Sequence, residues 1–164
     1  MDSPKEILVI SPSSLIASRF VEIISPKIEI YGAGQDQNFI SQYLTDFQEM
    51  DITDPEQVSS AVGTFSGKYI INFAAITAVD EMEKSRPQNP FSEEELNNDL
   101  GFRVNVLGTQ NLIDACRKFG KLPIFISTDF VFDGKNGPYS EEDEIVKSPD
   151  EVGWYAWTNN FHKT

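Results

Sequence analysis

Short β-rich runs alternate with segments of helical period along the whole chain, and this alternation constrains the fold more than any other feature. Glu6–Ile10 (EILVI) precedes Ser13–Ile24, where Leu15, Ile16, Phe20, Ile23 and Ile24 suit one helix face. Pro26 then breaks the chain. Ile28–Tyr31 (IEIY) reads as a second strand that Gly32-Ala33-Gly34 stops. Asp36–Leu44 reads as a short helix or irregular, and Phe47–Met50 as a third strand. Asp54-Pro55-Glu56 places an N-cap acid, a proline at the first helical position and an acid in the first turn, so a helix starts there and runs to about Phe65. Tyr69–Phe73 (YIINF) is apolar on both faces, as a central strand requires. Arg86–Asn97, with Pro87, Pro90 and the acidic run Glu93–Glu95, reads as a surface insertion. It leads into a long helix over Leu100–Phe119 that carries Leu100, Val104, Leu107, Leu112, Ile113 and Cys116 and that Gly120 caps. Pro123–Ser127 is a fifth strand, Lys135–Pro149 a polar loop, and Trp154–Lys163 opens another helix.

Strands separated by helices imply a parallel sheet with right-handed crossovers, hence a doubly wound α/β fold with helices on both faces. A chain of 164 residues is expected to form one such domain, residues 1–164. In these sheets ligands bind beyond the carboxyl ends of the strands. The segments to inspect are therefore 11–14, 31–34, 51–54, 74–80 and 127–134.

Composition narrows the chemistry. Thirteen Lys and Arg against 26 Asp and Glu give a net charge of −13, which disfavours nonspecific nucleic-acid binding and docking to anionic lipid. The single cysteine, Cys116, excludes a disulfide within the chain, and it reads as a core residue on an apolar helix face. The single histidine, His162, excludes a multi-histidine metal site. The cluster Glu141-Glu142-Asp143 reads as a solvated surface run, so no metal is expected. No apolar run approaches the roughly 20 residues of a membrane span and no signal peptide is evident, so the expectation is a cytoplasmic protein.

Three of the post-strand segments carry a resemblance. Asn72-Phe73-Ala74-Ala75-Ile76-Thr77-Ala78-Val79-Asp80 resembles the loop after the fourth strand of extended short-chain dehydrogenase/reductases. Arg103-Val104-Asn105-Val106-Leu107-Gly108-Thr109 resembles their next helix. Ser127-Thr128-Asp129-Phe130-Val131-Phe132-Asp133-Gly134 is similar to the Ser-Thr-Asp-Tyr-Val-Phe-Asp-Gly signature of the dTDP-4-dehydrorhamnose reductase branch. The resemblance implies a Rossmann-like domain binding NADP or NAD, a nucleotide-sugar ketone as substrate, and a C-terminal substrate domain absent from these 164 residues. It further implies a homodimer built through the Leu100–Phe119 helix and the terminal helix.

Carried over residue by residue, the resemblance also shows departures. The family's Gly-x-x-Gly-x-x-Gly turn falls on Ser11, Ser14 and Ala17. Alanine suits the third position, where close helix packing is needed, but serine at either of the first two is strained if φ there is positive, and a Cβ at Ser14 would push the pyrophosphate outward. Serine hydroxyls and the free N–H groups of the helix could still hold an anion. Tyr31-Gly32 stands where an acid usually holds the adenosine ribose, whereas Asp51 matches the acidic segment after the third strand. Ala74 and Ala75 match the loop over the cofactor. Thr128 and Tyr155 match the catalytic hydroxyls, and Asn105 the asparagine that organises a proton relay. The lysine expected four residues after the tyrosine is Asn159, which has no charge. Two expectations follow: an NAD(P)-dependent reductase, impaired or incomplete, or a non-catalytic binding or regulatory module acting through a protein partner. The regulatory subunit of methionine adenosyltransferase, in the same branch, is a precedent for the second.

Overall fold

A computed structural model describes residues 5–89, 92–135, 137–143, 150 and 153–160, with nothing said of the side chains of Phe39, Asn159 and Asn160. His162 and the 144–149 part of the polar loop lie outside the described residues. The chain divides into two compact units, one of Met1–Ala74 with Gln110–Ile126, the other of Ala75–Thr109 with Ser127–Thr164.

The first unit holds a five-stranded parallel sheet of order β3-β2-β1-β4-β5. The strands are β1 (Glu6–Ile10), β2 (Glu29–Gly34), β3 (Asp46–Glu49), β4 (Tyr69–Asn72) and β5 (Leu122–Phe125). β4 lies between β1 and β5, the interior position that its two-sided apolarity implies. α1 (Leu15–Ile24) covers the face of Ile7, Val9 and Ile30 with Ala17, Phe20, Val21 and Ile24. That stripe corrects the expected one. Leu15 is 90% exposed, Ile16 64% and Ile23 55%, because the face is set by the i, i+3, i+4, i+7 row from Ala17. Side chains alternate between the two faces along a strand, so Leu8 and its partner Tyr31 point to the other face. There the Tyr31 ring meets that of Phe65, 5.5 Å away at the end of α2 (Pro55–Thr64).

α2 starts as its sequence implies: Asp54 accepts from the N–H groups of Glu56 and Gln57, and Pro55 stands at the first position. β2 does not stop at Tyr31. It runs through Gly32-Ala33-Gly34, since β1 and β3 pair with it on both sides and the ladder outweighs the glycines' backbone entropy. Residues Asn38–Tyr43 form a 3₁₀ turn. α6 (Thr109–Phe119) ends at Gly120, whose φ of +66° makes the left-handed cap. Cys116 is buried, and burial pushes its thiol up to about 11.

The second unit contains α3 (Val79–Lys84), α4 (Glu93–Asn98), α5 (Leu100–Phe102), a π-helical stretch over Arg103–Gly108 and α7 (Trp154–Asn160). The acidic run of the expected insertion is helical. Ser92 caps α4 through the Glu95 N–H, and Glu93, Glu94 and Glu95 occupy the first turn, where the dipole favours acids. A core of Met82, Phe102, Val106, Trp154 and Tyr155 is completed by Ile76, Val79, Leu96, Leu107 and Trp157. Among the described residues no helix is long and apolar enough to cross a membrane.

Candidate functional site

In the first unit the chain leaves β1 at Ser11 with φ +57°, a left-handed conformation that glycine normally supplies. The serine is held there by its N–H donating to the Ala33 carbonyl at 2.7 Å and by its own carbonyl accepting the Ser14 N–H at 3.2 Å. The close approach to β2 falls on the other partner. A Cβ on Gly34 would lie 3.2 Å from Ser11 Cα and 3.3 Å from Ser11 N. A Cβ on Gly32 would meet the Leu44 and Phe47 side chains at 2.9 Å before Pro12 Cγ at 3.1 Å. The turn thus holds a left-handed residue with serine at that place, and Gly34 on β2 admits its close approach.

Ser14, the second position, is the N-cap of α1 at φ −62°, ψ 156°, so it needs no glycine for conformation. Its side chain makes no cap hydrogen bond, whereas Asp54 caps α2 fully. No acid stands in the first turn of α1. The helix therefore begins with amide donors and no side-chain acceptor of its own, the arrangement that receives an anion. Ala17, the third position, is fully buried and packs against β1.

Because β2 extends to Gly34, the chain that follows it is Gln35-Asp36-Gln37, and Tyr31-Gly32 lies inside the strand. Exposed Asp36 is the first carboxylate after the strand, a residue that the shorter strand assignment hid. Asp51 turns its Oδ1 onto the Thr53 N–H at 2.8 Å. Asn111 on α6 donates to the Ile52 carbonyl at 3.0 Å and braces the same loop, a role that sequence spacing did not signal. Ala74 is half-buried, and its N–H donates to the Asn72 Oδ1 at 3.0 Å.

In the second unit Ala75 is exposed at the start of the loop. Asn105, 4% exposed, clamps that loop through both ends of its amide: Oδ1 accepts the Ile76 N–H at 2.8 Å and Nδ2 donates to the Ile76 carbonyl at 3.1 Å. It sits in the π-helical stretch, a local widening that recurs at functional sites. Thr128 caps the 3₁₀ turn Asp129–Val131: its hydroxyl accepts the Phe130 N–H at 3.3 Å and donates to Asp129 Oδ1 at 3.3 Å. Further along the signature, Asp133 accepts from the Tyr139 hydroxyl and from the Lys135 N–H, and these bonds hold its carboxyl below the usual range.

Tyr155 is on the first turn of α7, 8% exposed, with the Phe130 ring edge-on at 5.3 Å between centroids. Burial first, and the Asp129 carboxylate second, push its hydroxyl above the ordinary tyrosine value of 10.0. Asn159 stands four residues on, one turn along the same helix, at the position that the family pattern gives to lysine. The unit thus brings Thr128, Asp129, Phe130 and Tyr155 together, and Asn105 anchors a separate loop. Among the described residues no cluster of His, Cys, Asp and Glu could hold a metal.

The family model for the RmlD substrate binding domain matches residues 27–156. The chain belongs to this family. A dTDP-4-dehydrorhamnose reductase of Aggregatibacter actinomycetemcomitans is 39% identical over 101 residues, 61% of this chain and 30% of that protein. The methionine adenosyltransferase 2 subunit beta of Rattus norvegicus is 33% identical over 103 residues, 63% of this chain and 27% of that protein. A solved dTDP-4-dehydrorhamnose reductase of Bacillus anthracis, in complex with NADP, superposes with a TM-score of 0.72 at 23% identity over 99% of this chain and 49% of that one. That likeness places the fold as Rossmann-like α/β. The chain spans less than a third of the length of these curated relatives and about half of the solved one.

Proposed function

We propose that the chain is the cofactor-binding and proton-donating part of an NAD(P)-dependent reductase of a nucleotide-sugar ketone, with the substrate domain contributed by residues outside these 164. The observation that carries the proposal is the Ser11 turn. A serine held at φ +57°, next to a helix that starts without a side-chain cap, keeps a costly conformation that an anion-binding turn requires. The residues fit a dinucleotide: the uncapped amides at the start of α1, with the Ser14 hydroxyl, would hold its diphosphate, and exposed Asp36 would take a ribose hydroxyl. The relatives named reductase support the same class.

When bound, the nicotinamide supplies the hydride that reduces the ketone carbon. The rest falls to the chain's own side chains. Tyr155 donates its hydroxyl proton to the carbonyl oxygen, which becomes the alcohol. Thr128 offers a second hydroxyl to the same oxygen, once it exchanges its Asp129 partner. Asn105 keeps the loop after β4 in place through Ile76. Tyr155 is an intrinsically slow donor here, since burial and Asp129 strengthen its hold on the proton and the position four residues on carries no cation. We infer that turnover is impaired relative to family members with lysine there.

That weak acid also favours a second reading, a non-catalytic module that binds a dinucleotide and acts through a protein partner. The two separate in one experiment on the full-length protein. NAD(P)H oxidation is followed with a dTDP-4-keto sugar in wild type, Asn159→Lys and Tyr155→Phe. The reductase reading expects slow turnover that rises at least tenfold in Asn159→Lys and vanishes in Tyr155→Phe. No turnover in wild type or Asn159→Lys, with the cofactor bound, leaves the module.

A further inference from the structure

Two carboxylates with no part in the proposed chemistry grip the helix that carries Tyr155. Glu83, near the end of α3, accepts the Tyr155 N–H on Oε1 at 2.8 Å. The same carboxylate occupies the space beside Gly153, where an added Cβ would stand 2.8 Å from Oε1 and 3.2 Å from Cδ. Gly153 also has φ +89°, so the residue before α7 is glycine for two independent reasons. Asp99, 6% exposed, accepts the Trp154 indole N–H at 3.0 Å and the Phe102 N–H at 2.7 Å on a single oxygen. Trp154 is fully buried and stacks on Phe102 at 6.4 Å between ring centroids.

These contacts divide the work. Consecutive helical residues point about 100° apart, so fixing the Trp154 side chain fixes the rotation of the helix about its axis. The Glu83 bond to the backbone of Tyr155 fixes where the first turn stands. Only the tyrosine's own side-chain torsions then remain, and the Phe130 edge limits them.

We propose that Glu83 is a positioning residue for Tyr155, setting the place of its hydroxyl while Asp99 sets the helix rotation. The inference rests on reading Tyr155 as the proton donor, yet it concerns placement and is tested without turnover. The full chain is labelled with 3-fluorotyrosine, and the Tyr155 line among the five tyrosines is identified by its loss in Tyr155→Phe. In Glu83→Ala the Tyr155 line is expected to move by more than its width or to broaden, with the other lines in place. Glu83→Gln, which keeps an oxygen acceptor, is expected to hold the line at its wild-type position. Gly153→Ala, which thrusts a methyl at the carboxylate, is expected to displace it. A Tyr155 line unmoved in Glu83→Ala, with only a lower melting temperature, overturns the proposal and makes Glu83 a stabilising residue. A line displaced as far in Glu83→Gln as in Glu83→Ala overturns it too. Should Glu83→Ala not fold, Glu83→Asp decides, since its shorter reach is expected to displace the line and an unmoved line refutes the positioning role. Failure of the underlying reading shows separately, as turnover that survives Tyr155→Phe.

Discussion

Ser11 offers a clean test of the turn. A non-glycine residue in the left-handed region costs about 1–2 kcal/mol, and Ser11 sits at φ +57°. Ser11→Gly removes that strain and adds roughly 0.5–1 kcal/mol of backbone entropy to the unfolded chain. The difference is a net stabilisation of about 0.5–1 kcal/mol. For a chain of this size that corresponds to a rise in Tm of about 2–4 °C per kcal/mol. Ser14 is the internal control. Its φ of −62° carries no strain, so Ser14→Gly is expected to lower stability by a few tenths of a kcal/mol. Ser11→Ala keeps the strain and loses only a hydroxyl, so it should fall within about 0.5 kcal/mol of wild type. Urea unfolding of the three variants, followed by circular dichroism, reads all of these. If Ser11→Gly is destabilised as much as Ser14→Gly, the serine is not strained and the turn does not hold the glycine conformation.

Gly34→Ala drives a Cβ to 3.2 Å from the Ser11 backbone, so it should cost about 1–3 kcal/mol in the same assay, and a neutral result would mean β2 and the turn are further apart. Asn105→Ala leaves the half-buried Ile76 backbone without two hydrogen bonds, for a loss of about 1–2 kcal/mol. Cys116, raised by burial from 9.0 to about 11, stays protonated in the fold where the unfolded thiol ionises. Its contribution is present below pH 9 and is lost as pH rises through about 11, so the wild type should lose on the order of 2 kcal/mol over that window relative to Cys116→Ala. Parallel pH profiles of the two proteins would refute this. Removing the Asp129 charge in Asp129→Asn should lower the Tyr155 pKa, seen as phenolate absorbance appearing at lower pH against a Tyr155→Phe blank.

The strands and the start of α2 were legible because their signals are local: apolar runs of strand length, and Asp54 before Pro55. The extent of β2 was not, since glycines read as breakers and only pairing with β1 and β3 keeps them extended. The buried stripe of α1 was misread for a similar reason. Leu15, Ile16 and Ile23 outrank Ala17 in hydrophobicity, but Ala17 is small enough to lie against β1, and that decides the rotation. Thr128, Tyr155 and Asn105 were singled out by resemblance alone, and the structure gives each a definite partner. Glu83 and Asp99 gave no signal because a carboxylate gripping a distant helix leaves no spacing pattern in the sequence.

The central claim is that the serine turn still binds a dinucleotide. Calorimetric titration of the purified chain with NADH and NADPH, with ADP as a control, tests it most directly. The account predicts micromolar binding, NADH tighter than NADPH because Asp36 repels a 2′-phosphate, and a narrowed difference in Asp36→Asn. No heat at millimolar cofactor would contradict it and leave the fold as a scaffold.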